Sequence, residues 1–416
     1  MNRFVRLVGC LLLICILSTA LGCESEYLGG DRDTKWKKDL NYMQKALAKK
    51  HVNLFFKTDE KKFNEEIASL KNSVENLNDD EIIAGIYKIV SSVGDSHTSA
   101  YKETSTVYPI EFYYFKEGIY VINTTKEYKK SLYAKLVKVN GKDIKEIEKD
   151  IMPLIVDENE GMIKKNIPKY LSNPLILHGI KATKEQDKVL FTFEDKDGKT
   201  FSLNVNAVDK SGISKQFIVN KEYDESYPLY MQKNNLNYWY KYLEDKKILY
   251  FKYNKCQNDD KAEKPIEDFI TQMLNFMNTH DVNKFVIDMR DNPGGSDKYI
   301  NPIIEWLKGK KINDKNHLFV IVGRNTFSSA MIDAVLLKQK AKPTFVGEIP
   351  SSKPNHYGAV KSFELPNSKI EISYSTQFNK ISDDNSNTFI PDKVIDISIK
   401  DYIQKKDPVL DYVISY

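Results

Sequence analysis

Residues 318–338 read LFVIVGRNTFSSAMIDAVLLK. The apolar run from Leu318 to Val322 has the length and composition of a buried strand. A glycine and a short polar stretch follow, and then apolar residues recur at helical spacing through Leu337. The same alternation repeats on both sides: KILYFKY (247–253), KFVIDMR (284–290) and PTFVGE (343–348) are strand-like. Between them Ile266, Phe269, Ile270, Met273 and Leu274, then Ile300, Ile303, Ile304 and Leu307, fall on single helical faces. This βαβ pattern predicts an α/β domain, a mostly parallel sheet with helices packed on it. In such sheets the chemistry gathers at the carboxyl ends of the strands. Three unusual stretches lie there: RDNPGGSD (290–297), GRNTFSSA (323–330) and GEIPSSKPNHYG (347–358).

Upstream, residues 32–93 are helical and charged. In DDEIIAGIYKIVSSVGDSHTS (79–99), Ile82, Ile83, Ile86, Ile89 and Val90 recur at helical spacing, and Gly94 stops the helix. Residues 106–208 carry alternating strand-like runs, among them IEFYYF, GIYVINT and KVLFTFED, with turn signals NGKD and KDGK. That pattern predicts a small β-rich middle module. Its AKLVKVNGKDIKEI (134–147), a strand, tight turn and short helix, resembles the corresponding turn of PDZ-like domains. The organisation expected is a signal peptide (1–22), a helical N-terminal domain (23–105), the middle module (106–210) and the α/β domain (211–416).

The chain has 416 residues and 41% apolar content, enough for two or three cores. Its 62 basic and 58 acidic residues are interspersed, giving a net charge of +4, so no stretch is built to follow a phosphate backbone and nucleic acid is not an expected partner. Arg3 and Arg6 precede an apolar run from Leu7 to Leu17 and the small residues Ser18, Thr19 and Ala20, the pattern of an export signal. That run is shorter than the roughly 20 residues that span a bilayer. The ending ALGC resembles a bacterial lipobox, which implies acylation of Cys23 and a lipid-anchored, extracytoplasmic protein. A cut after Ala20 is the competing reading, giving a secreted one. Cys10 and Cys15 leave with the signal, so Cys23 and Cys256 cannot make a disulfide framework, and Cys256 is expected to be a buried thiol at a strand end.

For Ser328 and Ser329 two readings stand side by side. Serine at a helix start ordinarily caps free amides. A hydroxyl at a strand-to-helix turn also lies at the positive end of the helix dipole, where developing negative charge is stabilised. Gly294 and Gly295 fit a simple turn, or a bend that aims amides outward. Of the six histidines, His97 lies in the compact polar cluster GDSHTS and His356 in KPNHYG, while His51, His178, His280 and His317 carry no motif and are expected at the surface or in packing. Lys353 could act as a base only if burial and neighbours brought it toward neutrality. No H-E-x-x-H helix or zinc-spaced cysteine pair is present, and no metal or cofactor is expected.

The ordered set GDSHT, DMRDNPGG, NTFSSA and VGE followed by SSKPNHYG resembles the S41 serine peptidases, which include the C-terminal processing (tail-specific) proteases and the tricorn-core relatives. The resemblance covers 93–99 and most of 235–416. It implies a ClpP/crotonase-like catalytic domain, with Ser328 as nucleophile, the Ser329 amide in the oxyanion hole and Gly294 or Gly295 supplying the other donor. The family uses two kinds of base. The lysine of the processing branch falls on Lys353, although Pro354 and Tyr357 stand where that branch has glycine and a supporting glutamine. The histidine of the tricorn-like branch falls on His97, which is the base expected here. The acid of that branch falls near Asp383 and Asp384, with Asp384 the expected third residue. The function implied is cleavage of protein or peptide substrates through an acyl-enzyme. An inactive relative that binds an apolar ligand or a peptide tail is the alternative. Oligomeric state is left open.

Overall fold

The computed structural model describes residues 26–219 and 224–416; the export-signal run and Cys23 lie outside the described residues. Helices α1 (Arg32–Lys50), α2 (Glu60–Ser73) and α3 (Asp79–Ser91) come first. Each begins where a short polar side chain accepts a free amide: Asp31 from Thr34, Asp59 from Lys62 and Asn78 from Glu81. Leu40, Met43 and Leu47 of α1 bury against Ile82, Ile86 and Ile89 of α3. Past α3 the chain turns at Gly94, whose φ of +79° suits glycine, and enters the GDSHTS loop.

Strands β1 (Ser99–Tyr101) and β2 (Thr106–Val107) lead into the middle unit. It contains β3 (Ile110–Phe115), β4 (Gly118–Thr124), β5 (Lys135–Val139), β6 (Lys142–Asp143), helices α4 (Ile144–Ile151), α5 (Glu160–Leu171) and α6 (Pro174–Gly179), then β7 (Lys188–Glu194), β8 (Thr200–Asn206) and β9 (Val208–Asp209). The antiparallel sheet runs β3-β4-β5-β7-β8. Its β5–β6 turn is the expected Asn-Gly pair, with φ of +47° at Asn140 and +83° at Gly141.

The remaining elements are β10 (Tyr238–Leu243), β11 (Ile248–Tyr253), α7 (Ile266–Thr279), β12 (Lys284–Asp288), α8 (Asn301–Leu307), β13 (Leu318–Val322), α9 (Ser329–Lys340), β14 (Thr344–Gly347), β15 (His356–Glu364), β16 (Glu371–Asn379), β17 (Lys393–Val394), α10 (Ile399–Ile403) and α11 (Pro408–Ser415). They build the predicted α/β sheet in the order β10-β11-β12-β13-β14-β17, parallel from β11 to β17. Successive strands lie side by side, and right-handed crossovers in one direction bring their helices to one face. Residues of α7, α8 and α9 accordingly pack on Leu249, Phe251, Phe285, Ile287 and Val320. The opposite face, with Tyr250, Val286, Phe319 and Ile321, is covered by Val409, Leu410 and Val413 of α11.

One hairpin crosses the expected order. Strand β16 pairs with β15 on one side and β1 on the other, not with the α/β sheet, and carries Ile372 and Tyr374 into the N-terminal helical core. The GDSHTS loop and the β15–β16 hairpin thus share one packing unit. Among the described residues no helix is long and apolar enough to cross a membrane.

Buried charge fastens α11 down. Arg290 grips Asp407 with two nitrogens, at 3.1 and 3.0 Å, and Asp407 in turn caps α11 by accepting from the Val409 and Leu410 amides. Arg290 also reaches Asp288 at the end of β12. Removing one member of a buried pair strands the other charge, which costs about 3–5 kcal/mol. Asp407→Ala is therefore expected to lose about that much in urea unfolding, whereas Asp407→Asn, which can still cap the helix, loses less.

Candidate active site

At the carboxyl edge of the sheet, the loop after β13 resolves whether Ser328 is a cap. It precedes the twelve-residue helix α9 with φ +54° and ψ −126°, and its side chain makes no capping hydrogen bond. A left-handed φ at a serine costs on the order of 1–3 kcal/mol and persists only where the surroundings dictate it. Here the Phe327 amide donates to the Asn292 carbonyl at 3.0 Å. The Thr326 hydroxyl donates to the Met289 carbonyl at 2.7 Å and accepts from the Gly323 amide at 3.0 Å. Gly294 lies so close that a Cβ there would stand 2.9 Å from both the Phe327 carbonyl and the Ser328 Cβ. The nucleophile candidate is thus held in a strained turn at a helix N-terminus, with its hydroxyl left out of the helix's own bonding.

The NPGG loop narrows the choice of oxyanion donors. Buried Asn292 accepts the Gly294 amide on its Oδ1 at 2.9 Å and donates its Nδ2 to the Tyr253 carbonyl at 2.9 Å. Gly294 is therefore not an available donor, because its N–H is spent within the loop. Cys256 bridges the amides on either side of Gly295: its N–H donates to the Gly294 carbonyl and its carbonyl accepts from the Ser296 amide. Among the described residues the Gly295 and Ser329 amides have no hydrogen-bond acceptor, and the Ser329 hydroxyl ties them together by donating to the Gly295 carbonyl at 2.9 Å. Cys256 itself is a buried thiol just past β11, beside Asn292 and Asp333.

His97 arrives from the other side. Its ring packs on Phe327, the residue before Ser328, with centroids 4.5 Å apart, and lies nearly parallel to His356 at 5.5 Å. Neither ring nitrogen of His97 has a hydrogen-bond partner, and no bond joins it to Ser328. Burial, reinforced by the neighbouring His356, pushes the His97 pKa down to about 4, so the imidazole is neutral at pH 7. His356 is fully buried, and its Nδ1 faces the Lys353 and Pro354 carbonyls at 3.1 and 3.2 Å. Both are acceptors, so Nδ1 carries the proton and Nε2 presents a lone pair. Burial lowers its pKa also.

What fixes the His97 loop is Asp95. Its carboxylate accepts from Thr98 Oγ1 (2.5 Å), Ser375 Oγ of β16 (2.6 Å), His51 Nε2 (3.2 Å) and the His97 amide (3.0 Å). Burial alone would raise this carboxyl, but the bonds from His51, Ser375 and Thr98 outweigh it and hold its pKa at about 2. His51, expected at the surface or in packing, is buried and structural: its Nδ1 accepts the Asn53 amide, which leaves Nε2 to donate to Asp95. Asn292, Thr326 and Asp95 escape sequence reading as site builders. Each stands inside a quoted motif, yet only a buried polar side chain meeting distant backbone reveals its task.

The other two candidates stand apart. Lys353 Nζ lies 3.6 Å from Glu158 Oε1 and over the Phe56 ring, with no bond to Ser328 or His97. Burial raises the Glu158 carboxyl to about 7 despite that lysine. Asp384 is exposed and accepts from the Ser386 amide and hydroxyl; the exposed Asp383 likewise makes no bond to a histidine. No carboxylate bonds the His97 ring among the described residues, so ring packing sets its plane.

No family model and no curated protein matches this chain. Among solved structures it is similar to mature CPAF (TM-score 0.62, 12% identity, 92% of this chain and 96% of that one) and to mature CPAF complexed with lactacystin (0.60, 11%, 92% and 97%). The tricorn protease is also matched (0.44, 14%, 93% of this chain and 37% of that one). The fold is that of CPAF, shared over 92% of this chain.

Because Asp95 is held near 2 and an unfolded aspartate titrates near 3.9, its contribution is complete above about pH 5 and disappears as pH falls through that interval. The stability gap between wild type and Asp95→Asn is expected to narrow by about 2 kcal/mol between pH 5 and pH 2, measured by urea unfolding.

Proposed function

We propose that this chain is an exported serine peptidase of S41 type, anchored by a lipid on Cys23, that cleaves extracytoplasmic proteins or peptides through an acyl-enzyme on Ser328. The observation that carries the proposal is the strained, uncapped Ser328 at the start of α9, followed by Ser329, whose amide is unspent and whose hydroxyl holds Gly295, the residue with the other unspent amide. A structural serine gains nothing from that backbone. His97, neutral and packed on Phe327, is the base in this reading. It takes the Ser328 proton as Oγ attacks the substrate carbonyl, and the Gly295 and Ser329 amides hold the oxyanion. The protonated imidazole then gives its proton to the leaving amine, and water, deprotonated by the same ring, releases the acid product. The serine–histidine bond closes only when substrate is bound, as catalytic bonds commonly do. His97 and Ser328 work as a dyad, with His356 and Phe327 setting the ring plane that a carboxylate sets elsewhere. Similarity to CPAF, which has been solved with lactacystin, supports the reading at the level of fold and makes lactacystin a second probe.

Labelling by a fluorophosphonate tests it. Wild type should label, Ser328→Ala should not, His97→Ala should label about a hundredfold or more slowly, and Lys353→Met should keep labelling. The wild-type rate should stay level from pH 7 to pH 5 and halve near pH 4, since His97 must be neutral to act. A midpoint near 6.5, or loss of labelling with Lys353 in place of His97, overturns the base assignment. Absence of wild-type labelling and of lactacystin reaction overturns the enzyme. Cys23→Ser should move the protein from the membrane fraction to the soluble one.

A further inference from the structure

Helix α5 carries three lysines with different surroundings. Lys164 is paired with Glu160 at 2.6 Å and Asp396 at 3.2 Å. Lys165 and Lys169, one turn apart and so on a shared face, have no acid within ion-pair distance among the described residues. Lys165 is half-buried, and its Nζ sits 4.6 Å from the Phe327 ring centroid and 3.3 Å from the neutral Ser351 hydroxyl. Phe327 is the ring that also carries His97. Both lysines line a cleft of about 260 Å³ whose apolar wall includes Leu154, Met162 and Phe327. Of the two, Lys165 is the less accessible and Lys169 is exposed to solvent.

Burial without a counter-charge brings the Lys165 ammonium down to about 8, still largely protonated at pH 7. Such a group favours an anion that replaces its lost water. We propose that Lys165, with Lys169 at the rim, forms a subsite for a carboxylate of the substrate peptide, an acidic side chain or the free C-terminus. This rests on the peptidase reading of the same site. Lys165 Nζ reaches the ring of Phe327, the residue before Ser328, so a carboxylate held there belongs to a residue a few places from the cut. The subsite thereby sets where an acidic group stands relative to the cut.

The test uses matched peptides with Glu or Gln at each of three positions on either side of the cut, each made with a free and an amidated C-terminus. The readout is the ratio of kcat/KM for the charged to the neutral member. Wild type should favour a charged member about tenfold or more, Lys165→Arg should keep the preference, and Lys165→Met with Lys169→Met should reduce it to about one. A preference that follows Glu identifies a side chain, and one lost on amidation identifies the C-terminus. A wild-type ratio near one, or a ratio unchanged in the double variant, overturns the subsite. Should the wild type cut nothing, the peptidase reading fails alone, and the subsite is read from peptide affinity. Ser328→Ala should then bind charged peptides more tightly than neutral ones, and lose the difference when combined with Lys165→Met. Equal affinities overturn the subsite too.

Discussion

The hydrogen bond from the Phe327 amide to the Asn292 carbonyl joins the loops that follow β12 and β13, and the arrangement around Ser328 depends on it. Asn292 uses its side chain to hold the Gly294 amide and the Tyr253 carbonyl, so one buried residue fixes three consecutive strand ends. Gly294 can then press against the serine turn, where any side chain would collide. The backbone strain at Ser328 is sustained by these contacts rather than by the helix it begins.

Much of this was legible in residue order. Four apolar runs with helical stretches between them are enough to specify a parallel sheet, and glycines and serines at strand ends mark where chemistry can sit, because local period and turn chemistry are local properties. Partner choice is not local. Nothing near Asn292 in sequence announces that its Oδ1 meets the Gly294 amide, leaving Gly295 as the glycine with a free donor. His51 carries no motif, yet it supports Asp95 from 44 residues away. The hairpin β15–β16 follows a βαβ series in sequence and still packs with the N-terminal helices, since its apolar residues complete that core. The expected acid at Asp384 is placed by family likeness alone, and that loop turns its carboxylate to Ser386.

The electrostatic character of the site follows from dryness. Two neutral imidazoles, an ammonium lowered to about 8 and a carboxyl raised to about 7 surround one aromatic ring and its neighbouring loops. Each is displaced mainly by burial. Asp95 goes the other way only because four donors converge on it. The environment therefore keeps a potential base unprotonated and an anion receptor charged at the same pH.

Ser375 reaches Asp95 across 280 residues of chain, and that span orders events in time. During synthesis the histidine loop emerges early, but the strand that locks it emerges near the end. Closing so long a loop is paid for in chain entropy before any packing rewards it, which slows assembly. A chain ending before β16 lacks the Ser375 hydroxyl on Asp95 and keeps only the donors from His51, His97 and Thr98. The order of synthesis thus completes the shell of donors around Asp95 last.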